Sequence, residues 1–399
     1  MSIPRVLLAW EQGRNLGHMT RLAKMSELIT QRNCEPIWVI PPAWLAHPWI
    51  GCNRFHPAPM LRPLKASARA GGPSLGRPDS FADILLAQGF TEAQAVLIAV
   101  GQWLKIFESI RPAAIVCDYA PVAQLAARLG SIRTMQLTNG FDAPPVALPA
   151  FSGYARHSSS KSQSVERLSD TIRSVSKSLG SEVCLEEYLA WPRRLSDAIP
   201  ETDPYGTRAD FFYAGPFTLE KVMAVPRWPQ ASEQRAKHAF AYLRGGIASV
   251  GPVLESLRIA GVLTCCVWPD ATDMALRRYE GSCIRIDRRP VKLNEAFERA
   301  DVVVNYGSGS VVCSCVLAGK AQLMMPMDLE KSMFARRVES LGAGITWTPH
   351  AGAVATSVDR LLSDRSMKEA AEVIARRNSP MKLDQARDAA MDLLLSSSC

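Results

Sequence analysis

Residues 7–21 read LLAWEQGRNLGHMTR, and the centre of this stretch holds groups that can do chemistry. The apolar run from Leu7 to Trp10 reads as the end of a buried strand, and the basic amphipathic stretch from His18 to Arg32 reads as the helix that follows. Gly13, Asn15 and Gly17 fill the loop between them, with His18 at the junction. Glycines there let the backbone approach a ligand closely, and a helix N-terminus favours anions. Their spacing matches neither GxGxxG nor the phosphate loop GxxxxGK, so no familiar dinucleotide or ATP signature is present. An imidazole in this place suits proton transfer near neutral pH. On local grounds alone His18 serves equally as a cap or a surface residue.

Two other places carry comparable groups. Asp118 ends the run AAIVCD at the tip of a predicted strand. It either caps the helix read from YAPVAQLAARLG or, if strands one and four are neighbours, meets His18 at one sheet edge. A carboxylate that orients an imidazole and stabilises its charged form is how a general base is built. Further on, the strand DVVVN breaks into YGSGS, and a helix follows at once. Small residues with free amides and the hydroxyls of Ser308 and Ser310, around Gly309, make a phosphate cradle at a helix N-terminus. A plain tight turn has the same composition. The next strand ends in PMDLEK, which brings Glu330 and Lys331 into the start of another helix.

The elements that position these groups alternate along the chain. RVLLAW, PIWVI, AAIVCD and TMQL are separated by helical patterns, then a proline-rich turn and a serine-rich stretch interrupt the series between about 143 and 210. A second alternating series starts near FFYAG and FAYLRGG and runs to GITW, and the last residues read as helices alone. The expected fold class is α/β: two doubly wound, Rossmann-like parallel-sheet domains joined near residues 205–230, with a helical tail. In such sheets ligands gather outside the carboxyl ends of strands. At 399 residues the chain suits two cores. Hydrophobic content of 47% against 21% charged residues excludes wholesale disorder. A net charge of +8 fits anionic small molecules or a membrane surface as well as nucleic acid. The basic residues Arg54, Arg62, Lys65, Arg69 and Arg77 are scattered without aromatic stacking partners, which argues against nucleic acid and suits an acceptor-lining loop or a peripheral contact with anionic lipid. Trp44, Trp49 and Phe55 either line an apolar pocket or pack under that loop. The ten cysteines include no CxxC pair and read as reduced, small hydrophobes rather than metal ligands. No apolar run reaches the roughly 18–20 residues of a membrane span, and the N-terminus reads as a first strand of a cytoplasmic protein.

The motifs together resemble the GT-B nucleotide-sugar glycosyltransferases, in the bacterial branch related to macrolide and flavonoid glycosyltransferases. Residues 306–344 resemble the family pattern HGGAGTTAEALAAGVPQLVVP…DQ…ARRVEELGAG, and GRNLGHMTRLAKMSELI resembles GGxGHVxRxLxLAxAL. FADIL…GF, DYAP and GFDAPP extend the likeness over most of the chain. The resemblance implies an N-terminal acceptor-binding domain (1–205), a C-terminal nucleotide-sugar-binding domain (206–380) and a tail helix (381–399) that packs back on the first domain. It makes His18 the general base and Asp118 the aspartate that holds it, with Gly13, Asn15 and Gly17 in the loop beside them. Ser308, Gly309 and Ser310 fall in the pyrophosphate loop, Val291 where the backbone pairs with the nucleobase, and Glu330 and Lys331 where the donor sugar is held.

Four positions depart from the pattern: Tyr306 replaces a phosphate-binding histidine, Val311 a threonine, Ser314 a ribose-gripping glutamate and Lys331 a glutamine. The implied activity is an inverting, metal-independent hexosyl transfer from a nucleoside diphosphate sugar, UDP-sugar by preference, to a hydroxyl of a small-molecule or lipid acceptor. No cofactor is implied beyond that co-substrate, and the setting is natural-product or cell-envelope biosynthesis. A nucleotide-sugar epimerase and a non-catalytic sugar-nucleotide-binding protein with a drifted donor site are the alternatives.

Overall fold

The computed structural model describes residues 3–12, 16–51, 53–63, 78–148, 151, 158–219, 223–230, 236–245, 250–279, 281–349 and 352–396. Gly13, Asn15, Lys65, Arg69 and Arg77 lie outside the described residues. The chain divides into two compact units: Met1–Ser196 with Ala209–Phe212 and Arg387–Cys399, and Asp197–Arg208 with Tyr213–Ala386.

The elements of the first stretch are β1 (Arg5–Trp10), α1 (Leu16–Gln31), β2 (Glu35–Ile40), β3 (Arg54–Pro57), α2 (Phe81–Leu85), α3 (Ala93–Ile110), β4 (Ala114–Asp118), α4 (Pro121–Leu129), β5 (Thr134–Thr138), α5 (Ser158–Ser178), α6 (Leu185–Ala190), β6 (Arg193–Ser196) and β7 (Phe211–Tyr213). Their strands form one sheet in the order β3-β2-β1-β4-β5-β6-β7. Residues Val6 to Trp10 and Ala114 to Asp118 are fully buried. Helices cover both faces of a parallel sheet, which is why these strands read as continuous apolar runs rather than alternating ones. β1 pairs in parallel with both β2 and β4, and Trp10 stands opposite Asp118. Strand order reverses between β1 and β4, so the loops after these two strands form the crevice where such sheets take ligands. β7 was expected to open the second series. It instead closes the edge of the first sheet, because a three-residue apolar run carries no local mark of which sheet it will pair with.

Helix α1 forms because Met19, Leu22, Met25, Leu28 and Ile29 recur at helical spacing and are all buried. Helix α4 has Pro121 in its first turn and no capping side chain of its own. Glu11, from the loop after β1, supplies the cap: its Oε2 accepts from Val122 N–H at 2.9 Å and its Oε1 from Ala123 N–H at 2.7 Å. The carboxyl is wholly buried, and burial pushes its pKa up to about 8 even though both amides pull the other way.

The second series comprises β8 (His238–Tyr242), α7 (Val250–Ile259), β9 (Leu263–Val267), α8 (Asp273–Tyr279), β10 (Ile284–Asp287), α9 (Leu293–Arg299), β11 (Val302–Asn305), α10 (Gly309–Leu317), β12 (Ala321–Met324), α11 (Leu329–Ser340), β13 (Gly344–Thr346), α12 (Val354–Ser363), α13 (Arg365–Arg377) and α14 (Pro380–Leu395). Its sheet runs β10-β9-β8-β11-β12-β13, all parallel, with order reversing between β8 and β11. One apolar cluster joins Ala239, Ala241 and Leu323 to α7 and α12, and a second joins Phe240, Val303 and Cys315 to α9. Cys117, Cys265, Cys266, Cys313 and Cys315 are buried free thiols within these layers. The end of α14 belongs to the first unit, where Asp388 meets Arg32 at 2.6 Å and the carbonyl of Leu394 accepts from Arg133 at 2.9 Å. Among the described residues no single helix is long and apolar enough to cross a membrane.

Glu11 yields a pH prediction. A carboxyl whose pKa is raised on folding favours the folded state fully below its unfolded value and loses that contribution as pH rises. Stability should therefore decline between about pH 4.5 and 8, by on the order of a few kcal/mol. Glu11→Gln should flatten that slope in melting curves recorded across this range. An unchanged slope would show that Glu11 is not the titrating group.

Candidate active site

At the carboxyl ends of β1 and β4 the chain assembles a charged cluster on a buried carboxylate. Asp118 has no solvent exposure. Its Oδ1 lies 2.9 Å from His18 Nδ1 and also accepts from Arg21 Nη2, while its Oδ2 accepts from Arg21 Nε at 3.1 Å. A carboxylate has no proton to donate, so the His18 bond requires the proton on Nδ1 and leaves the lone pair on Nε2. Arg21 Nη2 also stands 2.9 Å from Nδ1, but it can donate there only when Nδ1 has no proton. The charge-assisted bond to Asp118 selects the other tautomer.

Aromatic rings fix the imidazole. Trp10 stacks on one side, with ring centroids 5.1 Å apart, and Tyr119 lies near-parallel at 6.2 Å. Trp44 tilts against Trp10 at 5.3 Å, whereas Phe55 is half exposed and Trp49 packs on His47. Tyr119 has φ of 48°, a left-handed conformation that costs a bulky residue roughly 1–3 kcal/mol and is met mostly at functional sites. Gly17 is exposed in the first turn of α1, with open space where a Cβ would stand. Arg54 is paired with Glu35.

Sequence reasoning assigned no role to Arg21, Glu11 or Asp142. Arg21 sits three residues after His18 on α1, and that spacing alone puts both on one helix face. Asp142 accepts from Thr138 Oγ1 at 2.5 Å, and its buried Oδ2 has no hydrogen-bond partner. Burial pushes its pKa up to about 6, offset by Arg21 and Thr138. It lines a small open pocket with Tyr119, Gln124, Gln136 and Phe81.

The second unit gathers its polar groups at the ends of β8 and β11. Tyr306 is 9% exposed, its ring 5.4 Å from that of Tyr242, and it shares hydrogen bonds with Tyr242 and Arg244. Asn305 Oδ1 accepts from Gly307 N–H at 2.8 Å, which shapes the turn, and Gly307 has φ of 83°. Ser308 caps α10 without spending its hydroxyl on the cap. The first α10 bond to Ser308 O comes from Val312, so the amides of Gly309, Ser310 and Val311 precede the intrahelical ladder. A Cβ on Gly309 would stand 2.9 Å from the Phe334 ring, so only glycine fits there.

Two expected ligand groups are engaged elsewhere. The Ser310 hydroxyl donates to Asp197 at 3.1 Å, and Lys331 Nζ pairs with Asp328 at 2.6 Å, with Glu330 at 4.0 Å. Lys331 and Asp328 both lie in the first turn of α11, which Asp328 caps. Ser314 and Val311 are buried within α10. Val291 forms an isolated parallel bridge with Ala224, in which Ala224 bonds to Pro290 O and Lys292 N. The N–H and C=O of Val291 itself therefore point to the opposite side. Among the described residues no group of three or more His, Cys, Asp or Glu side chains could hold a metal ion.

No protein-family model and no curated protein sequence matches the chain. Solved structures do match over its whole length. The spinosyn forosaminyltransferase SpnP is 17% identical, with a TM-score of 0.65 over 98% of this chain and 100% of its own. The glycosyltransferase SsfS6 of Streptomyces sp. SF2575, complexed with thymidine diphosphate, is 16% identical with a TM-score of 0.63, over 98% and 100%. The spinosyn rhamnosyltransferase SpnG, complexed with spinosyn aglycone, is 15% identical with a TM-score of 0.60, over 98% of both chains. The fold is GT-B. In a GT-B chain the two reversals of strand order, at β1/β4 and β8/β11, are the places to look for ligands. The polar clusters stand at those two places.

The Asp118 cluster can be tested for its structural weight. Arg21→Met removes one partner of a buried ion pair and should cost about 3–5 kcal/mol in chemical denaturation. A loss below about 1 kcal/mol, the range of exposed pairs, would mean that the guanidinium is not needed to bury Asp118.

Proposed function

We propose that this chain is an inverting glycosyltransferase that moves a sugar from a nucleoside diphosphate to a hydroxyl of a small-molecule acceptor. The observation that carries the proposal is the imidazole of His18, held by buried Asp118 at the ligand crevice of a GT-B sheet. Residues 1–205 bind the acceptor and residues 206–380 the donor. His18 Nε2 takes the proton from the acceptor hydroxyl, and Asp118 stabilises the imidazolium that results. The acceptor oxygen forms its bond to the anomeric carbon as the bond to the diphosphate breaks, with inversion at that carbon. The amides of Gly309, Ser310 and Val311 meet the charge that grows on the leaving diphosphate, as preorganised donors do. The outward-facing backbone of Val291 takes the nucleobase edge, and Glu330 faces the donor sugar.

Two neighbours support the assignment of partners. SsfS6 holds thymidine diphosphate and SpnG holds an aglycone, each on this fold. Charge on the leaving group is met by protein donors, so turnover is independent of metal.

His18→Ala should lower turnover by about 10²–10⁴-fold and leave nucleoside diphosphate affinity unchanged. The pair of measurements is a sugar-transfer assay and calorimetry, and near-normal turnover in the variant would overturn the mechanism. EDTA should leave the wild-type rate as it is. A rate abolished by EDTA and restored by magnesium would contradict metal independence.

A further inference from the structure

We propose that Arg244, a guanidinium at the β8/β11 crevice that no carboxylate contacts among the described residues, grips the donor's diphosphate. This rests on the donor-site reading given above. β8 and β11 are neighbours with Tyr242 opposite Asn305, so the loops that leave them, Leu243–Gly245 and Tyr306–Ser308, lie side by side. Arg244 comes from the first loop and hydrogen-bonds the Tyr306 hydroxyl of the second. The turn that follows is locked: Gly245 N–H donates to both oxygens of Asp270, at 2.9 and 2.8 Å. A Cβ on Gly245 would fall 2.4 Å from Asp270 Oδ2, so a larger residue there would displace that carboxylate.

Charge decides the assignment. A nucleoside diphosphate brings about two to three negative charges, and the α10 amides and Tyr306 hydroxyl answer with dipoles alone. Among the described residues two cations, Arg244 and Lys331, interact with Tyr306. Lys331 is neutralised at 2.6 Å by Asp328. Among the described residues no carboxylate lies within 4.0 Å of the Arg244 guanidinium; Asp270 acts on it from farther away while binding Gly245. Arg244 is only partly buried, so a ligand can reach it. Its planar fork suits paired phosphate oxygens better than an ammonium does, and the Tyr306 hydroxyl lies beside it.

The test is calorimetry with uridine, uridine diphosphate, thymidine and thymidine diphosphate against the wild type, Arg244→Gln, Arg244→Lys and Tyr306→Phe. Arg244→Gln should weaken diphosphate binding about 10- to 100-fold and leave nucleoside affinity unchanged. Arg244→Lys should recover part of the loss, and the Arg244→Gln loss should shrink as salt is raised. Tyr306→Phe, which keeps the ring but frees the guanidinium, should lose less than Arg244→Gln. If the wild type prefers diphosphate over nucleoside and Arg244→Gln does too, by the same factor, the Arg244 assignment falls while the donor site stands. If the wild type shows no preference for diphosphate, the donor-site reading itself falls and this assignment with it. Melting curves of each variant separate loss of binding from loss of fold.

Discussion

A carboxylate buried without solvent is the constraint on which the first unit turns. A carboxylate buried at the end of a central strand needs its oxygens met, and His18 and Arg21 meet those of Asp118 from one face of α1. That requirement fixes the start of α1 against the end of β4. It also sets the imidazole's tautomer, because only an Nδ1 proton can face a carboxylate. Glu11 does for α4 what Asp118 does for α1, opening the loop after β1 with a buried carboxyl that holds two orphan amides. Glu11 and His18 thus each take part in a buried carboxyl contact, that of Asp118 matched by a guanidinium and that of Glu11 carrying a pKa near 8.

In the second unit the governing constraint is close approach. Gly309 against Phe334, Gly307 against the backbone of Lys331 and Gly245 against Asp270 leave no room for a Cβ. The Gly307 and Gly309 contacts bring the loop after β11 and the start of α10 against α11, and the Gly245 contact brings the loop after β8 against Asp270, in the loop after β9. The first amides of α10 and the Tyr306 ring then stand at the place where the strand order reverses. The lysine on α11 is paired with its own helix cap, so it does not add a free charge to the crevice.

The sequence made the alternation of strands and helices legible, because strands buried on both faces are apolar throughout and α1 repeats its apolar residues at helical spacing. It also placed His18 at the start of the first helix and Asp118 at a strand end, the one long-range step being that β1 and β4 are neighbours. What it could not convey depends on pairing over distance. β7 is too short to announce its sheet. Arg21 reads as one more basic residue on a basic helix until Asp118, 97 residues away, is set beside it. Asp142 gains its character from burial beside Thr138, and Arg244 from a strand register that joins it to Tyr306, 62 residues on in the chain. Lys331 was legible as a substitution, but its partner Asp328 is a local cap whose side-chain geometry no spacing rule distinguishes from a solvent-facing lysine.

The central claim is that sugar leaves a nucleoside diphosphate and arrives on a second molecule's hydroxyl. The most direct measurement is a time course with the unmodified protein, nucleotide-sugar donors and a panel of hydroxylated acceptors, followed by mass spectrometry of both products. The account predicts nucleoside diphosphate release that depends on acceptor, with stoichiometric formation of an acceptor heavier by one sugar unit and inverted at the anomeric carbon. Isomerisation of the donor with no acceptor present would contradict it. So would tight binding of the donor with no release of diphosphate under any acceptor.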